Sequence, residues 1–515
     1  MAINSINYSS TLRFSGLATG LDTDNIVKEL MNAHRIPLVR LQQQRQLLEW
    51  QQEAYRELNR LFDNFKNAVS PLRFESTFQV KTANVNNTSV ANVTASNQVT
   101  DGLYTLNVKA LAKGASLTSE KTEYKDSNAK LNFDFDKVQK IYINGAEIEL
   151  EADMTAGAFV AAVNAKSSET GVKVSFDSAT QRFFFTTVHS GETHDGKEVK
   201  IDFFDFEEEI DEENYVDFWK NAIGIDDNSL DAMASGVLND QLKGQNAVVE
   251  YQGTEMEFTS NTFSINGLSI QLKGTGEVNI TVSQNVEAIF NAIKKFVEEY
   301  NKLVDEVNKK LQEPRYRDYA PLTQEQKDEM TEKEIELWEA RAKSGLIRND
   351  SMLTGILSQL RMAISSVVES SAFKNLSAVF IETGPYYERG KLYITKEDEL
   401  RNLISQNPEE IMKLFVVNDP NDESKFGIGK RVYDIVDNAT KQLQKKAGSM
   451  TGYSLVDNST LGEQIKDIDK RIERMQTRLI AIEQRYWAQF TALERAVARM
   501  NMQSAWLAQT FGGGA

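Results

Sequence analysis

No cysteine occurs among the 515 residues, which excludes disulfides, thiolate metal sites and cysteine nucleophiles together. Histidine is also scarce, at three residues, so little general-base chemistry near neutral pH is on offer. Proline numbers only seven, and no run approaches the ~18 consecutive apolar residues of a membrane-spanning helix. Positive charge is the minority sign: 58 Lys plus Arg stand against 75 Asp plus Glu, for a formal charge of −17 and a pI near 4.9. Such a surface repels phosphate backbones and anionic lipid, so neither nucleic acid nor membrane insertion is expected, and partners should be neutral or locally basic. The N-terminus, MAINSINYSSTLRFSG, lacks the apolar core of a Sec-type signal peptide, so the protein is expected to stay inside or to leave by another route.

What is present can fold. Hydrophobic residues make up 41% of the chain, enough for sizeable cores, and ~100 to 200 residues per domain predicts three or four domains. A helix is predicted from Asp24, capped by Asp22 or Asp24, with Ile26, Val27, Leu30 and Met31 on one face. Pro37 predicts an interruption and a second helix opening at the proline, in which Leu41, Leu48, Tyr55, Phe62 and Val69 recur every seven residues. The C-terminal segment carries the clearest period: Ile465, Ile472, Leu479, Tyr486, Leu493, Met500 and Leu507. Its companion line runs Leu461, Ile468, Met475 and Ile482, then Gln489, Ala496 and Gln503, so the distal half keeps one apolar line and is expected to need additional partners. A helix from Leu461 to Gln509 would reach ~75 Å, a rod rather than a core element.

Further helices are predicted over Asn285 to Leu311, Ser351 to Ser366, Lys396 to Leu403, Pro408 to Phe415 and Val432 to Lys445, with one charged, solvated helix from Thr323 to Lys343. Between Phe78 and Val282 the period changes to two. Asn144-Gly145, Gln252-Gly253 and Asn266-Gly267 each sit between apolar runs as hairpin turns needing positive φ at both residues, and Val172 to Phe176 pairs with Phe183 and Phe185. The fold class is therefore α+β multidomain: a long α-helical coiled-coil stalk formed by both chain ends, with β-rich domains inserted at the tip. The predicted partition is a disordered segment 1–22, stalk helices 23–76, an inner β-rich head in two parts (77–118 and 244–283), an inserted outer β-rich head 119–243, a helical stalk domain 284–460, and a C-terminal coiled-coil helix and tail 461–515.

Little catalytic chemistry survives inspection. His189, Glu192, His194 and Asp195 lack the HExxH spacing and read as a solvated hairpin end. FGIGKR at Phe426 to Arg431 has Ser424 where a phosphate loop needs its first glycine. The eight carboxylates from Asp205 to Asp217 read as a solvated acidic loop. No catalytic residue, metal site or cofactor is expected. The heptads serve either an internal bundle or self-association, and their reach almost to both chain ends favours self-association. The candidate coiled-coil and subunit-interface residues are Leu41, Leu48, Tyr55, Phe62, Ile465, Ile472, Leu479, Tyr486, Leu493, Met500, Trp506 and Leu507.

SGLATGLDTDNIVKELM at Ser15 to Met31 and RIPLVRLQ at Arg35 to Gln42 resemble the N-terminal signature of the bacterial flagellar filament-capping family, also called hook-associated protein 2. FSINGLSIQLKG, ITVSQNVEAIFNAIKKFVEEYNKLVDEV, GKLYITKEDELRNLISQNPEEIMKLF and the end RYWAQFTALERAVARMNMQSAWLAQ resemble later parts of the same family in the same order. The helix Thr323 to Lys343 and the acidic run depart from its pattern. The resemblance implies a non-enzymatic cap at the distal end of the growing filament, secreted through the flagellar export channel. It further implies a ring-shaped homo-oligomer that retains flagellin and promotes its insertion. The implied partners are flagellin, hook-filament junction proteins, a cytoplasmic export chaperone and the flagellar type III export apparatus. The alternatives are another axial flagellar protein of the hook-filament junction, or an adhesin using the β-rich head.

Overall fold

The computed structural model describes residues 20, 22–206, 210–417, 426–449 and 457–511. The predicted disordered segment 1–22 lies outside them apart from Gly20 and Asp22, as do parts of the acidic run and the tail beyond Phe511. The described chain divides into a helical unit, built from residues before Gln79 and after Asn285, and a β-rich unit, 79–285.

In the helical unit the first helix runs unbroken from Thr23 to Val69, with Pro37 inside it. This corrects the expected interruption, and the reason is positional. Proline removes the bond to the carbonyl four residues earlier, here that of Ala33, but Ala33 and Pro37 both face solvent, where water can satisfy the freed oxygen. Leu38, one position on, is buried and holds the helix to its partner. Asp22 supplies the cap, its carboxylate accepting from Asn25 N–H at 3.0 Å.

The lower half of this helix buries Tyr55, Leu58, Phe62, Phe65 and Val69 against Phe290, Ile293, Phe296 and Tyr300 of the returning helix Val286–Gln312. The Phe65 ring lies 5.8 Å from Phe296 and from Tyr300, within the range for favourable aromatic pairs. Helices Ser351–Ser365, Pro408–Val416 and Ile428–Ala447 complete the core. The FGIGKR glycines serve packing: a Cβ on Gly429 would stand 2.6 Å from the Leu72 carbonyl oxygen. The expected single helix from Thr323 to Lys343 is two, Gln324–Asp328 and Glu332–Lys343, each opened by a threonine capping box (Thr323 with Gln326, Thr331 with Glu334). The second box opens the second helix, and Lys327 bridges to Glu339 at 2.6 Å across the break.

The β-rich unit holds two cores. One lies around a five-stranded antiparallel sheet in the order Lys81–Val85, Gly276–Gln284, Gly102–Ala110, Ala247–Tyr251, Thr254–Phe258, together with a three-stranded sheet Thr262–Ile265, Leu268–Leu272, Ala91–Ala95. The strand before the intervening segment thus pairs with the strand after it, Val108 opposite Val249. All buried residues of the second core fall between Ala115 and Leu242. There the hairpin Val172–Asp177 and Arg182–Thr187 pairs Val174 with Phe185 and Phe176 with Phe183, and helix Ala156–Ala165 lays Phe159 on it. Asn144, Gly145, Gln252, Gly253, Asn266 and Gly267 all have positive φ, as the three turns require. Part of the acidic run is helix rather than loop, because the Asp211 side chain caps Glu212–Asp217 and Tyr215 is buried beneath it.

Candidate assembly surface

The C-terminal helix, Thr460–Phe511, packs antiparallel to the first helix. Three polar contacts fix that direction: Gln52 Nε2 donates to Asp457 at 2.7 Å, Arg45 pairs with Asp469 at 2.5 Å, and His34 Nε2 lies 3.0 Å from the Tyr486 hydroxyl. Along this seam Val27, Met31, Leu38 and Leu479 are buried, with Ile472, Met475, Ile482, Tyr486, Trp487 and Phe490 partly buried around them. This is a two-helix seam lined by apolar residues of both helices, and it needs both lines of apolar residues.

After Phe490 the helix goes on, and among the described residues none of its side chains is buried. The stretch 491–511 continues for roughly 30 Å at the usual rise. Leu493 is 44% exposed, Met500 59%, Trp506 64% and Leu507 47%, so the surviving apolar line faces solvent. Arg495 and Arg499 stand beside it against Glu494, a locally basic stretch on an acidic chain.

The candidate residues therefore fall into three groups. Tyr55 and Phe62 are buried in the core of the helical unit, with Leu48 packed on its edge. Leu41, Ile465, Ile472, Leu479 and Tyr486 lie on the two long helices, half-buried except for the fully buried Leu479. Leu493, Met500, Trp506 and Leu507 are exposed. Sequence reasoning left Val27, Met31, Leu38, Trp487 and Phe490 out of the interface set. The spacing of four and seven from Val27 to Leu38 carried that signal, obscured by the break expected at Pro37.

Two polar hubs anchor the first helix. Asp350 caps Ser351–Ser365 through Leu353 N–H at 2.9 Å and accepts from Tyr55 Oη at 2.6 Å and Lys446 Nζ at 3.0 Å. Asp457 accepts from Arg56 Nη2 at 2.9 Å and from Gln52, at the start of the C-terminal helix. Gly448 and Gly462 give Asp457 its room, since a Cβ at either would lie 2.9 or 2.6 Å from its carboxylate group.

His189 and His194 stack with ring centroids 3.4 Å apart at the hairpin Thr193–His194 and Lys197–Glu198. Among the described residues no group of His, Asp and Glu is arranged to hold a metal ion, and no helix is long and apolar enough to cross a membrane. A cleft of about 860 Å³ in the β-rich unit is lined by Glu120, Lys121, Phe133, Asp134, Asp217 and Lys220 among others, and no histidine stands in it.

Two family models match the chain: that for the flagellar hook-associated protein 2 N-terminus over residues 19–115, and that for its C-terminus over 244–502. The chain is 32% identical to the flagellar hook-associated protein 2 of Halalkalibacterium halodurans, over 97% of this chain and 100% of that one. It is 24% identical to the protein of that name from Escherichia coli K12, over 96% and 97% of the two chains. Its fold is similar to the crystal structure of the D1-D2-D3 domains of the Escherichia coli flagellar cap protein FliD, with a TM-score of 0.50 and 21% identity over 76% of this chain and 96% of that one. The chain belongs to the flagellar hook-associated protein 2 family, and is a structural, non-enzymatic cap protein of the flagellar filament tip.

Proposed function

We propose that the protein works as a ring-shaped homo-oligomer that retains exported flagellin at the filament end and promotes its insertion. In this reading the outward stretch 491–511 of the C-terminal helix is the assembly surface, with Leu493, Met500, Trp506 and Leu507 as contact residues and the paired part of the long helices as the leg that presents them. The observation that carries it is the helix itself: it continues for roughly 30 Å past Phe490 with none of its described side chains buried, and Leu493, Met500 and Leu507 stand exposed along that length. The β-rich segments 77–118 with 244–283 and 119–243 act as inner and outer head domains. Flagellin, the hook-filament junction proteins, an export chaperone and the type III export apparatus are the partners this role requires.

The test is a strain without this gene, scored for flagellin in the medium against flagellin in attached filaments. Flagellin should accumulate outside as monomer, the unsubstituted protein should restore filaments, and a chain carrying Leu493→Asn with Leu507→Asn should not. Restoration by that variant would remove the overhanging helix from the assembly surface. Normal filaments in the deletion strain would reject the retention role and bring the adhesin reading forward.

A further inference from the structure

The second β core, within 115–242, joins the first through two connections, 111–115 outward and 242–247 back. These pair with each other: Lys113 N–H donates to the Gln245 carbonyl at 2.9 Å, and Gln245 N–H to the Lys113 carbonyl at 2.9 Å. Two adjacent connections by themselves make a hinge, since rotation about their common line costs no packing.

A third contact starts from that pair, where Gly191 N–H also donates to the Lys113 carbonyl at 3.1 Å, and reaches the first core beyond it. The loop 188–192, which follows the strand Arg182–Thr187 of the second core, rests on Thr259, which follows the strand Thr254–Phe258 of the first. Ser190 Oγ donates to the Thr259 carbonyl at 3.2 Å. Glu192 N–H donates to Asn246 Oδ1 at 2.9 Å, and Asn246 Nδ2 donates in turn to Glu257 at 3.0 Å. Gly191 has φ +85°, and a Cβ there would fall 2.4 Å from Thr259 Cα. A Cβ on Gly244 would fall 1.9 Å from the Gly191 carbonyl oxygen. Neither position has room for a side chain, so backbone packs directly on backbone across the junction.

We propose that the loop 188–192 is a strap that locks the two β cores into one rigid body, with Gly191 and Gly244 as its positioning residues and Ser190 and Asn246 as its polar ties. The strap blocks the rotation that the two connections leave open.

The absence of native cysteine makes the test direct in the full chain. Ser175→Cys on the exposed face of Val172–Asp177 and Ser269→Cys on that of Leu268–Leu272 would carry two spin labels, and pulsed dipolar spectroscopy would read the distance between them. The expected result is one narrow distance population. Gly191→Val should broaden or displace it while near-ultraviolet dichroism from the buried Trp219 persists. Ser190→Ala with Asn246→Ala, which removes the ties without adding bulk, should broaden it as well and decides the matter if Gly191→Val does not fold. A broad distribution without those changes, or a width unaltered by loss of the ties, would overturn the proposal.

Discussion

Asp350 shows how one side chain couples three helices. Burial pushes its carboxyl upward, but the bonds from Tyr55, Leu353 N–H and Lys446 outweigh burial and hold it below the ordinary carboxylate range. A carboxyl depressed by folding contributes stability that is complete above its unfolded pKa, ~3.9, and is lost as pH falls through the folded value. Urea unfolding at a series of pH values should therefore show the unsubstituted protein losing more stability below ~pH 4 than Asp350→Asn does. Parallel curves would remove Asp350 from the acid limb. Tyr55→Phe should cost about 2 kcal/mol at neutral pH by the same measurement, the usual range for a bond to a charged group. Asn144 is the second such position. It has φ 50°, donates from Nδ2 to the carbonyls of Thr170 and Lys200 at 2.8 and 2.7 Å, and accepts from Asp202 N–H at 2.9 Å. Asn144→Ala loses all three bonds and the residue type that tolerates positive φ, and should lower stability by about 2 to 3 kcal/mol in thermal unfolding. An effect below about 0.5 kcal/mol would mean that water replaces them.

Among the elements, substitutions on the two long helices should separate stability from assembly. Leu479→Ala should cost about 2 to 4 kcal/mol, because its side chain is buried in the seam, whereas Leu493→Ala should stay within ~0.5 kcal/mol in the isolated chain. Association should respond in the opposite order, and sedimentation of both variants beside their denaturation curves checks the pair. Pro37→Ala should restore the missing backbone bond and stabilise the two-helix region by up to about 3 kcal/mol, read as later loss of the far-ultraviolet helix signal on heating. The hairpin turns were legible because a two-residue turn with positive φ at both positions narrows the choice of residues sharply. The continuity of the first helix was not, because it depends on which face Pro37 presents to water. The break at Thr331 was legible in principle, since threonine followed three residues later by glutamate is a helix-start pattern inside a charged run that otherwise reads as one helix.

For the whole molecule, charge sets the conditions of assembly. Identical chains each carrying −17 repel across any ring they form until salt shortens the range of that repulsion, ~8 Å at 0.15 M ionic strength. Oligomers should strengthen as salt rises from low concentration, while the apolar contacts of the overhanging helix change little. Sedimentation that shows oligomers dissociating over that range would instead assign assembly to ion pairs between the basic stretch around Arg495 and Arg499 and acidic surfaces on a neighbour.

The amino-acid order alone determined the periods, the turns, the absence of thiol chemistry, and the family. It also marked Tyr55, Phe62, Leu493 and Met500 as members of the same kind of seven-residue line. Only the tertiary structure separated them: Tyr55 and Phe62 are 1% and 0% exposed inside the helical core, Leu493 and Met500 44% and 59% exposed beyond it. A heptad position specifies which face of a helix is apolar, but what covers that face depends on where the other helices end, and that is a property of the packed chain.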